Sequence, residues 1–248
     1  MKLLFTGASG FLGSNVRPLL EGMYGVKTVG LSPKDDYTID IAKEIPVLRE
    51  RYDIVLHVAG KAHSVPKTEA ERQVFFDVNL QGTKNLCTAL ERRRVPRAFI
   101  FISTVAVYGC PYGENITEDH PLDGDTPYAM SKRLAEEYLQ KWCYEHNVIL
   151  GIIRPSLIAG PNPPGNLGAM IHGIRSGKYL SIAGGQARKS VLMVQDIAKL
   201  VSLLAEKGGI YNVCDSHHPT FRELETTICR QLDKKLPFSI PYWAAKCM

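Results

Sequence analysis

Tyr128 and Lys132 are the two residues whose types and spacing most directly support chemistry. A phenol and an ammonium four residues apart lie one turn apart on the same face of any helix that carries them. A tyrosine that ionises near pH ~10 in water becomes a usable acid and base when a fixed cation stabilises its phenolate. The same spacing recurs at Tyr242 and Lys246, so spacing alone decides nothing. The first copy, however, follows an apolar run, Phe99 to Ile102, that ends in Ser103 and Thr104. A strand ending there puts two hydroxyls at the carboxyl edge of a sheet, where open α/β sheets bind their ligands. The second copy follows Pro241, has no such strand before it, and is read as a chance match.

A second constellation opens the chain. Lys2 to Phe5 is a short apolar run that leads straight into Gly7-x-x-Gly10-x-x-Gly13. Glycines there let the backbone turn tightly and approach a pyrophosphate, whose charge then rests on free N–H groups at a helix N-terminus. Dinucleotide binding is the expectation. Pro18 lies too deep for a first-turn proline and is expected to kink the helix or shift its start. The second apolar run, Val26 to Leu31, ends in Ser32-Pro33-Lys34 where an acid would hold the adenosine ribose. A hydroxyl and a lysine there favour NADP over NAD; alternatively Ser32 and Lys34 form only a turn, and Asp35, Asp36 or Asp40 supplies the acid.

These residues need elements to position them, and the chain supplies an alternation. Brief, nearly continuous apolar runs at Lys2 to Phe5, Val26 to Leu31, Ile54 to Val58, Ala98 to Ile102 and Val148 to Ile153 read as strands covered on both faces. Helical spacing fills the gaps, as in Gln81 to Arg92 and Pro127 to His146. The fold class that follows is α/β, a doubly wound parallel sheet. After Arg154 and Pro155 the run Gly160-Pro161-Asn162-Pro163-Pro164-Gly165 can continue neither helix nor strand, so residues 1–155 are read as the cofactor domain and 156–248 as a small region partly interleaved with the sheet. In that region Asn166 to Ser176, Gln195 to Ala205 and Thr220 to Gln231 read as helices and Gly209 to Val213 as a strand.

Composition narrows the class further. Hydrophobic residues at 45% and charged ones at 22% exclude a disordered, collagenous or coiled-coil chain. The net charge of +5 is scattered apart from Arg92, Arg93 and Arg94, which read as a solvated helix end and not as a nucleic-acid patch. The six cysteines form no metal-ligand spacing, and reduced thiols point to a cytoplasmic protein. Ala98 to Val107, the most apolar stretch, is too short to span a membrane.

Together the motifs carry a family resemblance. Thr6-Gly-Ala-Ser-Gly-Phe-Leu-Gly13, His57-Val-Ala-Gly60, Val78-Asn79, Ser103-Thr104-x-x-Val107-Tyr108-Gly109, Tyr128-x-x-x-Lys132 and Arg154-Pro155 stand in the order and spacing of extended short-chain dehydrogenases/reductases. The chain resembles the nucleotide-sugar epimerase/reductase branch of that Rossmann-fold group over almost its whole length. The resemblance implies that Tyr128 is the acid/base toward a sugar hydroxyl, that Lys132 lowers its pKa and holds the nicotinamide ribose, and that Thr104 hydrogen-bonds the reacting oxygen; Ser103 is expected to satisfy backbone beside it. It assigns cofactor contacts to Gly7, Ser9, Gly10, Phe11, Leu12, Gly13, Ser32, Lys34, Asp40, Ile41, Val58, Ala59, Gly60, Asn79, Ile102, Ser103, Arg154 and Pro155 as well as to Tyr128 and Lys132. Substrate contacts fall to Lys61, His63, Thr104, Val105, Asn166, Leu167, Arg188 and Lys189, with Arg188 able to slip into a role the family gives to an arginine at the Lys189 position.

Dehydratases of this group carry Asp-Glu after the threonine, whereas this chain has Val105-Ala106. Elimination of water needs that extra acid and base, so the expectation is C4 epimerisation or C4-keto reduction of a UDP-sugar with NAD or NADP. Reduction of another small carbonyl compound, or a non-catalytic cofactor-binding role on the same fold, are the alternatives. The resemblance also implies a homodimer formed through the helices at Gln81 to Arg92 and Pro127 to His146.

Overall fold

Apolar runs too short for helices, each closed by glycine, a hydroxyl or a polar turn, become strands of one parallel sheet. A computed structural model describes residues 1–62 and 64–245. They divide into two compact units, Met1–Pro155 with Val194–Val213, and Ser156–Met193 with the chain from Cys214 onward.

In the first unit the sheet holds β1 (Lys2–Thr6), β2 (Gly25–Gly30), β3 (Tyr37–Thr38), β4 (Ile54–His57), β5 (Ala98–Ile102) and β6 (Ile149–Pro155). The chain leaves for the second unit, which contains β7 (Leu157–Ala159), β8 (Ser181–Ile182) and β9 (Val191–Met193), and returns to add β10 (Gly209–Val213) beside β6. The order across the sheet is β10-β6-β5-β4-β1-β2-β3, and its pairings are parallel. This is the doubly wound order, in which the progression of strands across the sheet reverses between β1 and β4 and opens a crevice at their carboxyl ends. The return of 194–213 to the sheet means that the chain does not divide at one point after Pro155: β10 pairs along its whole length with β6, from Gly209–Gly151 to Val213–Pro155.

Around the sheet lie α1 (Phe11–Glu21), α2 (Glu69–Phe76), α3 (Gly82–Arg93) and α4 (Pro127–Glu145). α1 starts at Phe11, directly behind Gly10, and runs through Pro18. That proline is exposed and close to the helix end, where it removes a single backbone hydrogen bond. A helix that the apolar periodicity does not announce precedes α3: α2 is capped by Thr68, whose side chain accepts the Glu71 N–H, and passes into α3 through a π turn, Asp77–Gln81. Its apolar residues are bunched at Val74, Phe75 and Phe76, so the 3.6-residue period is weak there; the Thr68 cap and the Glu69 and Glu71 of its first turn are the sequence signal.

The core of this unit buries Leu4, Val55, Phe99, Phe101 and Ile152 on the strands against Leu86 and Leu90 of α3 and Ala135, Leu139 and Trp142 of α4. α4 is anchored at its start by Thr126, whose hydroxyl accepts the Ala129 N–H, with Pro127 in its first turn. In the second unit α5 (Gly165–Arg175) precedes β8; after α6 (Asp196–Lys207), which belongs to the first unit, α7 (Phe221–Leu232) packs on α5 around Met170, Ile174 and Cys229.

Candidate active site

The first and third glycines of the loop are dictated by packing. Gly7 has φ +75°, and a Cβ there would stand 2.6 Å from the Ala59 nitrogen; one on Gly13 would stand 2.2 Å from the Gly7 carbonyl oxygen. Gly10 is different, since a Cβ on it would meet no protein atom closer than 3.4 Å. It caps α1 without any side-chain acceptor, and the first turn holds no acid, so the leading N–H groups of α1 are presented at its positive end. Room at Gly10 and uncapped donors beyond it fit the pyrophosphate of a dinucleotide. Leu12 is buried in the core and offers only backbone there, whereas Ser9 is exposed.

Two of the acids weighed beside Ser32 and Lys34 fold back against the end of β2. The chain turns back at Ser32, whose N–H donates to the Asp35 carboxylate at 3.0 Å and whose hydroxyl accepts the Lys34 N–H. Asp35 is 8% exposed and its Oδ2 lies 2.5 Å from where a Gly30 Cβ would be. Asp36 is taken by Lys27 at 2.7 Å and by the Thr28 N–H; burial would raise its pKa, and these donors outweigh that and hold it low. Asp40 caps its own turn through the Ala42 N–H, and Ile41 is a core side chain against Gly82.

β4 is followed by Val58, Ala59 and Gly60, and a Cβ on Gly60 would lie 3.0 Å from Asn79 Oδ1 and 3.7 Å from Lys132 Nζ. Asn79, in the π turn, accepts the Lys61 N–H at 2.7 Å and donates to the Lys61 carbonyl and to Ser131 Oγ, which in turn donates to the Tyr128 carbonyl. The loop after β4 is thereby tied to the first turns of α4. Lys61 also holds its ammonium over the Phe75 ring.

Thr104 follows β5 and caps a short 3-10 turn, Val105–Tyr108. Tyr128 stands on the first turn of α4, and Lys132 and Glu136 follow it at successive four-residue steps. Burial raises the Tyr128 phenol above its ordinary value, and the Thr104 hydroxyl, hydrogen-bonding it, pulls the other way. Lys132 is 3% exposed, with its ammonium 4.1 Å from the centre of the Phe101 ring. Burial brings its pKa down to about 7, against the opposing pull of Glu136.

Two expected roles differ in detail. Ser103 does not merely satisfy backbone: its hydroxyl donates to Glu136, whose carboxylate is gripped by Arg154 through Nε at 3.2 Å and Nη2 at 2.6 Å. Arg154, assigned to the cofactor by resemblance, spends its guanidinium on Glu136, the Tyr108 hydroxyl and the Glu118 carbonyl. Tyr108 donates onward to Asn212 of β10. Glu136 is thus a buried hub that ties the strand end carrying Thr104 to the helix carrying Tyr128 and Lys132. Its signal in the sequence was its place one turn beyond Lys132.

Among the remaining residues, Val105 is 38% exposed, Ile102 is buried and Pro155 closes β6. His63 lies outside the described residues, as does Lys246. The second unit carries Asn166, exposed in the first turn of α5, and Leu167, buried in that unit. Arg188 donates to the His218 carbonyl at 2.9 Å, while the exposed side chain of Lys189 takes no hydrogen bond or ion pair among the described residues. Arg188 is the pinned cation and Lys189 the available one. Among the described residues no cluster of histidine, cysteine or carboxylate could hold a metal, and no helix is long and apolar enough to cross a membrane.

A dinucleotide-binding loop at the crevice of a parallel sheet, with a tyrosine, a lysine and a threonine at its carboxyl edge, defines a Rossmann-type oxidoreductase site. Residues 3–214 match the NAD dependent epimerase/dehydratase family, and the chain belongs to that family. It is 29% identical to an N-acetyl-alpha-D-glucosaminyl-diphospho-ditrans,octacis-undecaprenol 4-epimerase of Escherichia coli O157:H7 over 97% of this chain and 75% of that protein. To a UDP-glucose 4-epimerase of Vibrio cholerae it is 28% identical over 98% of this chain and 80% of the other. Its fold resembles that of RMD from Pseudomonas aeruginosa complexed with NADPH, with a TM-score of 0.78 at 26% identity over 97% of this chain and 87% of that one. The chain is an NAD(P)-dependent enzyme of the class that includes nucleotide-sugar epimerases, reductases and dehydratases.

Proposed function

We propose that this enzyme works at C4 of an N-acetylhexosamine or hexose joined to a diphosphate, inverting C4 through a transient 4-keto sugar or reducing a 4-keto sugar, with a UDP-sugar as substrate. The observation that carries the reading is the stripe of Tyr128, Lys132 and Glu136 facing Thr104, with Val105-Ala106 following the threonine where an eliminating enzyme needs an acid and a base.

Gly7 to Gly13 and the start of α1 would hold the pyrophosphate of the dinucleotide, and Lys132 its nicotinamide ribose. When bound, that group supplies hydride exchange at the sugar carbon. The protein's own part is proton movement. Tyr128 takes the proton from the C4 oxygen as its phenolate during oxidation and returns it from its hydroxyl during reduction; burial disfavours that phenolate, and a charged Lys132 one turn along the same helix would offset this. Thr104 offers a hydroxyl to the same oxygen and Glu136 helps keep Lys132 charged.

Cofactor choice rests on the β2 edge. We infer a preference for NAD(H), the reverse of what Ser32 and Lys34 suggest in sequence: the Asp35 carboxylate, folded against Gly30 and Ser32, is like-charged with a 2′-phosphate and suited to ribose hydroxyls.

The test is a product assay. Purified chain is incubated with UDP-N-acetylglucosamine, UDP-glucose, their 4-keto forms and N-acetylglucosaminyl-diphospho-undecaprenol, with and without added NADH or NADPH, and products are identified by NMR. Inversion without net cofactor use gives an epimerase, and stoichiometric reduction gives a reductase. Turnover of the polyprenyl compound alone replaces uridine with a lipid, and no turnover of any of them refutes the reading.

A further inference from the structure

His57 is fully buried between β1, α3 and the Phe99 and Phe101 rings, and its hydrogen bonds have a determinate direction. Thr6 Oγ1 accepts the N–H groups of Val58 at 3.2 Å and Ala59 at 3.1 Å. Its own proton is therefore left for His57 Nδ1, 2.6 Å away. Nδ1 is then an acceptor, and the ring proton sits on Nε2, which donates to Thr83 Oγ1 at 2.9 Å. Thr83 passes its proton to the Asn79 carbonyl at 2.6 Å. Asn79 lies in the π turn and holds Lys61 and Ser131, and Ser131 holds the Tyr128 carbonyl. At the other end Thr6 immediately precedes Gly7, the residue with no space for a side chain against Ala59.

We propose that His57, fixed as the neutral Nε2–H tautomer, is a positioning residue that couples the dinucleotide loop to the catalytic tyrosine through Thr83, the π turn and Asn79. The inference rests on the activity assigned above for its kinetic part and on geometry alone for the rest. Protonating Nδ1 would set an N–H against the Thr6 hydroxyl, which already accepts the Val58 and Ala59 N–H groups and points its own proton at that nitrogen, so the relay holds only while His57 is neutral. Burial, reinforced by the nearby Lys132 charge, keeps it so, with a pKa down at about 3. Held neutral and fully buried, the imidazole is assigned a geometric role. A π turn that places Asn79 on Ser131 is an irregularity that needs such support.

The experiment uses the full chain with ¹⁵N-histidine labelling, together with Thr83→Val, which deletes the acceptor, and Thr83→Ser, which keeps it. NMR is expected to report a protonated Nε2 and a bare Nδ1 at His57, unchanged from about pH 8 to 5. Dinucleotide affinity, measured by fluorescence without substrate, is expected to fall about tenfold in Thr83→Val and to return in Thr83→Ser; kcat falls by a similar factor with little change in sugar KM. A His57 that titrates in that range, a proton on Nδ1, or a folded Thr83→Val with wild-type affinity overturns the proposal. Should no sugar be turned over, the tautomer and affinity measurements still decide the relay, and only the assigned activity fails.

Discussion

In the proposed reaction Tyr128 acts through one oxygen, and Tyr128→Phe removes that oxygen from an otherwise unchanged ring. Turnover is expected to fall by on the order of 10²-fold or more while dinucleotide affinity is kept; steady-state kinetics and a cofactor titration on the same sample check this, with Tyr242→Phe expected to be silent. Lys132 presents the cost of the site. Its pKa is about 7 in the fold against 10.5 unfolded, so folding opposes its charge. Below pH ~7 the penalty is full, and it shrinks as pH rises from there toward the unfolded value, by about 1.4 kcal/mol per pH unit. Lys132→Met is therefore expected to lose activity yet unfold at higher denaturant than wild type at pH ~6, with the gap narrowing toward pH ~10. Denaturation curves across that range measure it, and a variant less stable than wild type at pH ~6 contradicts the burial account.

At the scale of elements, the turn after β2 makes a prediction about cofactor choice. Asp35→Asn keeps an acceptor for the Ser32 N–H but removes the charge, so NADP(H) affinity is expected to rise about tenfold with NAD(H) changed little. Parallel titrations decide it, and a wild type that already prefers NADPH returns the role to Ser32 and Lys34. This turn illustrates what the sequence could tell. Strands were legible because continuous apolar runs have few other fates, and β5 and β10 stand at the expected residues. The glycine loop ahead of α1 and the placing of Tyr128 and Lys132 one turn apart on α4 were legible because both are set by local spacing. Asp35 beneath Gly30, the π turn and the Ser103–Glu136–Arg154 hub were not. Each depends on a polar side chain meeting a group fixed by tertiary packing, which periodicity does not encode; α2 escaped because its apolar residues are bunched, although its Thr68 cap and acidic first turn are local signals.

For the whole molecule, α4 holds a stripe of Met130, Leu134 and Tyr138 that is only half-buried, although α2 and α3 pack against the same helix. We propose that a second copy covers this stripe in a twofold dimer. Sedimentation near micromolar concentration is expected to give a dimer, and Leu134→Glu a monomer; a wild-type monomer with and without cofactor refutes the pairing. The central claim concerns the hydrogen at C4, and its fate is the most direct measurement. With a C4-deuterated substrate, or with deuterated NAD(P)H and a 4-keto sugar, the account predicts that the label travels between sugar and cofactor, ends on C4 of the product, and never enters water. Label appearing in solvent, or a product formed with the C4 label undisturbed throughout and no slowing by deuterium, contradicts it.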